Sequence, residues 1–408
     1  MEISINTLID DENFYSFGGT DSFSLNGYKC FAGIDINHIS PYEAKKTLKL
    51  QVYEDEPIQY AFGSSTGLCT TTPTGSIKEK DLLTKLMSLS DDDESVCSFF
   101  KEYGFLFPVK TGIYDEYDFQ SISAILQHLK ATVLLISELQ STNPNFIDIL
   151  NYTLFLLLSD PIEVTISATG KIYHTCHHKI AETIKKASSL PETDRRKEVL
   201  NSGCYKVKDL IYPPYYDVDP NEYKNIRSTF GRNTLPKGWN TSLFKDIVSL
   251  YVNDINEPIG VRLIIDFLYH FMIEVGVIKS VDFYSGVSFY EEDLQINLTT
   301  SMKKALVYIA KIALNEEINA NLAGITSRFV VSKMEPSWRA TNLLSALYFS
   351  IFYTNPKAEI YRKCANPACN NRFLVKTSNG RKKYCCPSCR NATAQRNHRV
   401  KMKKIKAQ

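Results

Sequence analysis

Residues 361–408 read YRKCANPACNNRFLVKTSNGRKKYCCPSCRNATAQRNHRVKMKKIKAQ, and they decide how the rest of the chain is read. This stretch holds 14 Lys or Arg and no Asp or Glu, whereas the whole chain of 408 residues has 47 basic and 45 acidic residues. Residues 1–360 therefore carry 33 basic against 45 acidic residues, a net of −12 facing a tail of +14. Charge segregated in this way suits a polyanionic partner for the tail, nucleic acid first among them.

The cysteines of the tail come in two close pairs. Cys364-x4-Cys369 is followed 16 positions later by Cys385-x3-Cys389. Thiolates are soft ligands, and four of them in two pairs suit one structural, tetrahedral zinc ion. The competing use is a disulfide pair. No secretory leader is read at the N-terminus, so a reducing, cytoplasmic setting is expected and metal is favoured over disulfides. Cys386 offers a second register, Cys386-x2-Cys389. Cys385 is preferred because Tyr384 just before it ends a strand and packs beside the site, which leaves Cys386 as a spare thiol. Phe373-Leu374-Val375 and Lys382-Lys383-Tyr384 flank Ser378-Asn379-Gly380, a strong hairpin-turn signal. Residues 390–406 lack Gly and Pro and read as a helix. Knuckle, hairpin and ligand-bearing helix make a small treble-clef zinc finger.

The motif Arg362-x-Cys364…Cys369…Phe373…Arg381…Tyr384-Cys385…Cys389-Arg390-Asn391…Arg396…His398-Arg399 resembles the CGNR-type zinc finger at the C-terminus of bacterial stress-induced transcription regulators. The resemblance covers residues 361–405. The family's Cys-Gly-Asn-Arg stands here as Cys389-Arg390-Asn391-Ala392, and the second pair is one residue shorter. Upstream, Phe99-Phe100-Lys101-Glu102-Tyr103-Gly104-Phe105-Leu106 is similar to an aromatic element in the N-terminal domain of these proteins. The resemblance implies DNA binding and transcription regulation in a bacterial cytoplasm.

The charges say how such a finger meets a duplex. Arg396, Arg399 and Lys403 fall at i, i+3 and i+7, on one helical face, with Arg390 and Gln395 nearer the start. Arg390 and Gln395 are types that read guanine and adenine edges. Arg381, Lys382 and Lys383 add a cationic surface beside the metal. Aromatic side chains for stacking single-stranded bases are scarce, so DNA is expected ahead of RNA. The opposite charges of body and tail leave two expectations: that the body partly masks the basic helix, or that its negative charge is spread evenly and aids solubility.

Upstream the chain reads as α+β, with a β-rich N-terminal region over 1–110 and a mainly helical body over 111–355. The body includes a loop-rich insertion near 187–240 that contains Tyr212-Pro213-Pro214-Tyr215-Tyr216. Helices are expected over 81–103 with a break near Ser90–Asp93, and over 119–139, 146–158, 243–252, 261–275, 302–314 and 336–353. The run Asp91-Asp92-Asp93-Glu94 reads as a helix start. No run of 18 apolar residues occurs, so no membrane-crossing helix is expected.

Catalytic signatures are absent: no Gly-x-Ser-x-Gly elbow, phosphate-binding loop or dinucleotide fingerprint is present. His174, Cys176, His177 and His178 are metal-capable, and on a helix His174, His178 and Glu182 would share a face; a second metal there is left open. The expectation is a cytoplasmic zinc-dependent DNA-binding protein without catalytic residues, with a homodimer left open. The alternatives are a structural or protein-interaction zinc module on a body active in stress or phage defence, and RNA binding.

Overall fold

The chain folds as α+β, with strands predominating before residue 82 and helices interspersed with short hairpins after it. The computed structural model describes residues 16–17, 20–23, 30–40, 43–52, 60–62, 69–71, 77–110, 112–175, 177–189, 205–207, 209–212, 216–218, 242–252, 257–291, 294–331, 334–353, 359–369, 372–376 and 382–406. First come β1 (Ser16–Phe17), β2 (Thr20–Phe23), β3 (Cys30–Ser40), β4 (Glu43–Val52), β5 (Tyr60–Phe62), β6 (Cys69–Thr71) and β7 (Ile77–Asp81). Then follow α1 (Leu82–Ser88), α2 (Asp93–Tyr103), β8 (Asp115–Asp118), α3 (Phe119–Leu139) and α4 (Phe146–Leu158). The middle holds β9 (Glu163–Thr165), β10 (Ile172–His174), α5 (Lys179–Ser189), β11 (Tyr205–Val207), β12 (Tyr216–Val218), α6 (Ser242–Val252) and α7 (Ile259–Glu274). β13 (Ile278–Asp282), β14 (Gly286–Phe289) and α8 (Thr300–Asn321) lead to β15 (Ile325–Val330), β16 (Glu335–Ala340) and α9 (Leu343–Ser350). The chain closes with β17 (Glu359–Lys363), β18 (Arg372–Lys376) and α10 (Pro387–Lys406).

Contacts divide it into two compact units. The first is Met1–Ser141, Ile162–Thr175 and Ile318–Gln408, so it gathers the β-rich start and the cysteine-rich end. Its sheet β3-β4-β8 is antiparallel, and α3 packs on β4 and β8; the buried residues of α3 include Ile122, Ile125, Leu126 and Leu129. That spacing is the core-facing period of an amphipathic helix. A second sheet has the order β15-β16-β5, with Trp338 opposite Phe62. α3 is long and apolar enough to cross a membrane, but 67% of its apolar window is buried inside the fold, as in a core helix.

The acidic run at 91–94 is structural. Asp92 caps α2 by accepting from the Ser95 amide at 2.8 Å. Asp91 pairs at 2.9 Å with Lys130, whose side chain is 3% exposed, and Asp93 pairs with Lys46 at 2.9 Å. Lys130 also donates to the Leu89 carbonyl at 2.9 Å, so its buried ammonium is paired and hydrogen-bonded, as burial requires.

One expected helix is corrected. Residues 335–340 form β16, and a helix starts only at Leu343, where Asn342 caps it by accepting from the Ser345 amide at 2.8 Å. Pro336 sits opposite Phe329, outside the stretch of β16 that pairs with β5, so its missing N–H costs no bond on that side. The apolar pattern of Leu343, Leu347 and Ile351 is helical as expected up to Ser350, and Ile351–Tyr353 tightens into a 3-10 turn.

The second unit is Thr142–Pro161 and Cys176–Glu317. Its helices α6 and α7 pack together, with α5 against both. The hairpin β13-β14 lies on α4, where Asn151 accepts from the Val287 amide at 3.1 Å. Gly286 turns that hairpin at φ 77°, and a Cβ there would come within 2.6 Å of Asn151. Only glycine meets both demands. Within the expected insertion, β11 and β12 pair antiparallel, while Pro213, Pro214 and Tyr215 lie outside the described residues.

Candidate metal centre and basic helix

β17 and β18 form an antiparallel hairpin, from Glu359 opposite Lys376 to Lys363 opposite Arg372. Its tip is the Cys364-x4-Cys369 knuckle. There Asn366, itself buried, accepts from the Ala368 amide through its side chain at 3.3 Å and from the Cys369 amide through its carbonyl at 2.8 Å. This Asx-type turn brings Cys364 and Cys369 back together. Residues 382–384 are not the strand expected of them. β17, read as no element in the sequence, takes up β18 over its whole length. Lys383 instead lies against the knuckle, its carbonyl accepting from the Ala365 amide at 2.8 Å. The Lys382 carbonyl accepts from the Arg362 guanidinium at 3.3 Å. These bonds deliver Cys385 to the pair already formed. The expected turn at Ser378-Asn379-Gly380 lies outside the described residues.

α10 supplies the fourth sulfur from its first turn. The ligand atoms of Cys364, Cys369, Cys385 and Cys389 all lie within 4.8 Å of one another, the one potential metal group found among the described residues. Cys385 Sγ is 3.8 Å from Cys369 Sγ and 3.6 Å from Cys389 Sγ, well beyond the roughly 2.05 Å of a disulfide. All four are free thiols, with Cys364 buried and the others half-buried. Burial resists ionisation of Cys364, but hydrogen bonds from the backbone of Cys385 and Asn366 lower its pKa below the usual thiol value. Burial and the crowded neighbouring sulfurs raise that of Cys385. A cation at the centre is what would let all four carry negative charge together. Cys386 lies outside this group and is exposed.

The centre is built into the first unit. Tyr361 of β17 is buried, its amide donating to Ser137 Oγ of α3 at 3.2 Å and its hydroxyl lying 2.7 Å from Thr84 Oγ1 of α1. β17 packs on α3 and β18 on α1.

From residue 390 to 399, Thr393 alone is buried; its hydroxyl donates to the Cys389 carbonyl at 3.0 Å. Arg390, Gln395, Arg396 and Arg399 are all exposed, so the expected masking of these side chains by the body is absent. Lys382 and Lys383 are exposed as well, with the Lys382 ammonium 5.2 Å from the centre of the Phe373 ring. Lys403 lies seven positions beyond Arg396 in the same helix, and Arg381 lies outside the described residues.

The histidines of 174–178 do not share a helix. His174 ends β10 in the first unit, and α5 begins only at Lys179, after the buried His178 in the second. His178 Nδ1 is 3.1 Å from Glu316 and its Nε2 3.4 Å from Glu317. Burial opposes its charge, yet the two carboxylates outweigh burial and raise its pKa to about 9. Cys176 lies outside the described residues.

Sequence patterns missed a second buried polar cluster, in the second unit. Asp209 accepts from the Ile211 and Tyr212 amides at 2.7 and 2.8 Å, from Tyr251 at 2.7 Å and from His270 at 2.5 Å. Burial works against its charge, but these donors hold the carboxyl at about 2. Asp266 binds the Leu210 amide at 2.9 Å and Arg262 at 2.8 Å, and burial pushes it up to about 6. Its acidic and aromatic members are 61 positions apart at most and show no shared motif, so nothing in the sequence announces it. Its bonds tie residues 209–212 to α6 and α7, which is a structural task.

No family model, no curated protein and no solved structure matches this chain.

Proposed function

We propose that this protein binds one structural zinc ion through Cys364, Cys369, Cys385 and Cys389, and double-stranded DNA through α10 and the segment before it, as a bacterial transcription regulator. The observation that carries this reading is a 20-residue helix free of acidic residues that starts in the four-cysteine group and exposes Arg390, Gln395, Arg396 and Arg399. Zinc–sulfur bonds of about 2.3 Å in a tetrahedron give sulfur separations near 3.8 Å, which the 3.6 and 3.8 Å spacings approach. A helix that starts in the cysteine group and carries no acidic residue draws stability from a metal held there and from a partner that accepts its charge.

On a duplex, Arg396, Arg399, Lys403, Lys382 and Lys383 take phosphates, and Arg390 and Gln395 reach base edges. Fluorescence anisotropy with a short labelled duplex tests this. The triple variant R390A/R396A/R399A, altered only at exposed positions, is expected to bind at least about tenfold more weakly at low salt than the wild type. Equal binding contradicts the reading.

A second reading, the zinc module as a brace for the body, draws on the burial of Tyr361 and its bonds to Ser137 and Thr84. It predicts zinc-dependent stability with no nucleic-acid binding.

A further inference from the structure

Cys386, left out of the cage, occupies the entry of α10. Its carbonyl accepts from the Arg390 amide at 3.3 Å, which makes it the residue that caps the helix start. Pro387 follows at the first helical position, where a missing N–H costs nothing. The Cys386 thiol is exposed and its sulfur is 3.8 Å from that of Cys385. Three residues on stands Cys389, so the helix opens with Cys386-Pro387-Ser388-Cys389, a Cys-x-x-Cys arrangement with a thiol accessible to solvent.

The choice of disulfide partner follows from backbone geometry. Residues three apart in a helical turn have Cα atoms about 5 Å apart, inside the roughly 4.4–6.8 Å that a disulfide spans. Neighbours such as Cys385 and Cys386 are about 3.8 Å apart across a trans peptide, too close for an unstrained bridge. Of the two cysteines nearest to it in sequence, Cys389 is therefore the partner.

We propose that Cys386 is a redox modification site: oxidised by a hydroperoxide, it forms a disulfide with Cys389 and expels the metal. The proposal rests on the zinc reading above. The Cys386 sulfur attacks the terminal oxygen of the hydroperoxide, forming an S–O bond as the O–O bond breaks; two electrons pass from sulfur to peroxide, the other oxygen leaves and takes up the thiol proton as alcohol or water, and a sulfenic acid remains. The Cys389 sulfur then leaves the metal and attacks the Cys386 sulfur. The S–O bond breaks, and the departing hydroxide takes up a proton as water. Two thiols and one hydroperoxide thus become one disulfide, one water and one alcohol, or two waters when the oxidant is hydrogen peroxide. The cage is left with three thiolates, too few to close a structural site.

The test uses the full chain loaded with one equivalent of zinc and treated with hydrogen peroxide, with a chromogenic chelator reporting zinc release from wild type, C386S and C386A. Differential alkylation then locates the disulfide by fragmentation of the tryptic peptide 384–390, which contains Cys385, Cys386 and Cys389. The expected result is release at least tenfold faster from wild type than from either variant, with a 386–389 disulfide that reductant and zinc reverse. Equal rates, no release from wild type, a disulfide without Cys386, or zinc-free variants before oxidant would each overturn the proposal. A wild-type chain that takes up no zinc at all overturns the metal reading as well, which separates the two failures.

Discussion

The Tyr361 hydroxyl lies 2.7 Å from the hydroxyl of Thr84, 277 positions earlier in the chain. With the Tyr361 amide bonded to Ser137, this makes the cysteine-rich hairpin a part of the first unit rather than a tethered appendage. Metal binding and body stability are therefore linked: any ion held by the folded cage adds to the stability of the helices beneath it.

Tyr361→Phe removes one buried hydroxyl contact and is expected to cost about 1 kcal/mol, seen as a Tm about 2–4 °C lower. Tyr361→Ala opens a cavity under β17 and is expected to cost about 3–5 kcal/mol. Calorimetry on the zinc-loaded protein checks both. A Tyr361→Ala variant as stable as the wild type would mean that the hairpin does not brace the unit.

Cys→Ser changes at 364, 369, 385 and 389 should each abolish stoichiometric zinc, measured by elemental analysis of the dialysed protein, while Cys386→Ser should keep one equivalent. The reverse result at 385 and 386 would assign the cage to the other register. Zinc removal by a chelator should also lower the Tm, because in small metal modules the binding free energy is largely folding free energy.

The His178 cluster gives the second unit a pH dependence of known sign. A histidine raised from 6.5 to about 9 in the folded state stabilises fully below 6.5 and loses that contribution as pH rises through 9. The loss is on the order of 3 kcal/mol, from about 1.4 kcal/mol per pKa unit. Denaturant melts at pH 6 and pH 9.5 should show it in the wild type and not in His178→Gln. An unchanged wild-type difference in that variant would assign the effect elsewhere.

Much of this was legible in the sequence, and the failures share a cause. Helices over 119–139 and 146–158 appear where their apolar periods put them, because burial along one face is a local pattern. The four-cysteine group was legible from spacing alone, because ligands in close pairs need only a turn to converge. Periodicity misled at 336–340, where Pro336 and Trp338 answer to the neighbouring strands β15 and β5 instead of to a helix. It misled again at 174–182, where α5 starts five residues later than the His174 spacing assumed. The Tyr361–Thr84 contact and the Asp209 cluster depend on residues distant in sequence. Local pattern carries no trace of them.

The central claim is that the exposed face of α10 neutralises DNA phosphates, and its most direct test is a salt titration of the zinc-loaded protein on a duplex. With about five phosphate contacts, log K should fall with log salt at a slope of about −4.5, and R396A/R399A should bring it nearer to about −2.7. Binding that does not change with salt, or a slope the double variant leaves unaltered, would contradict the account.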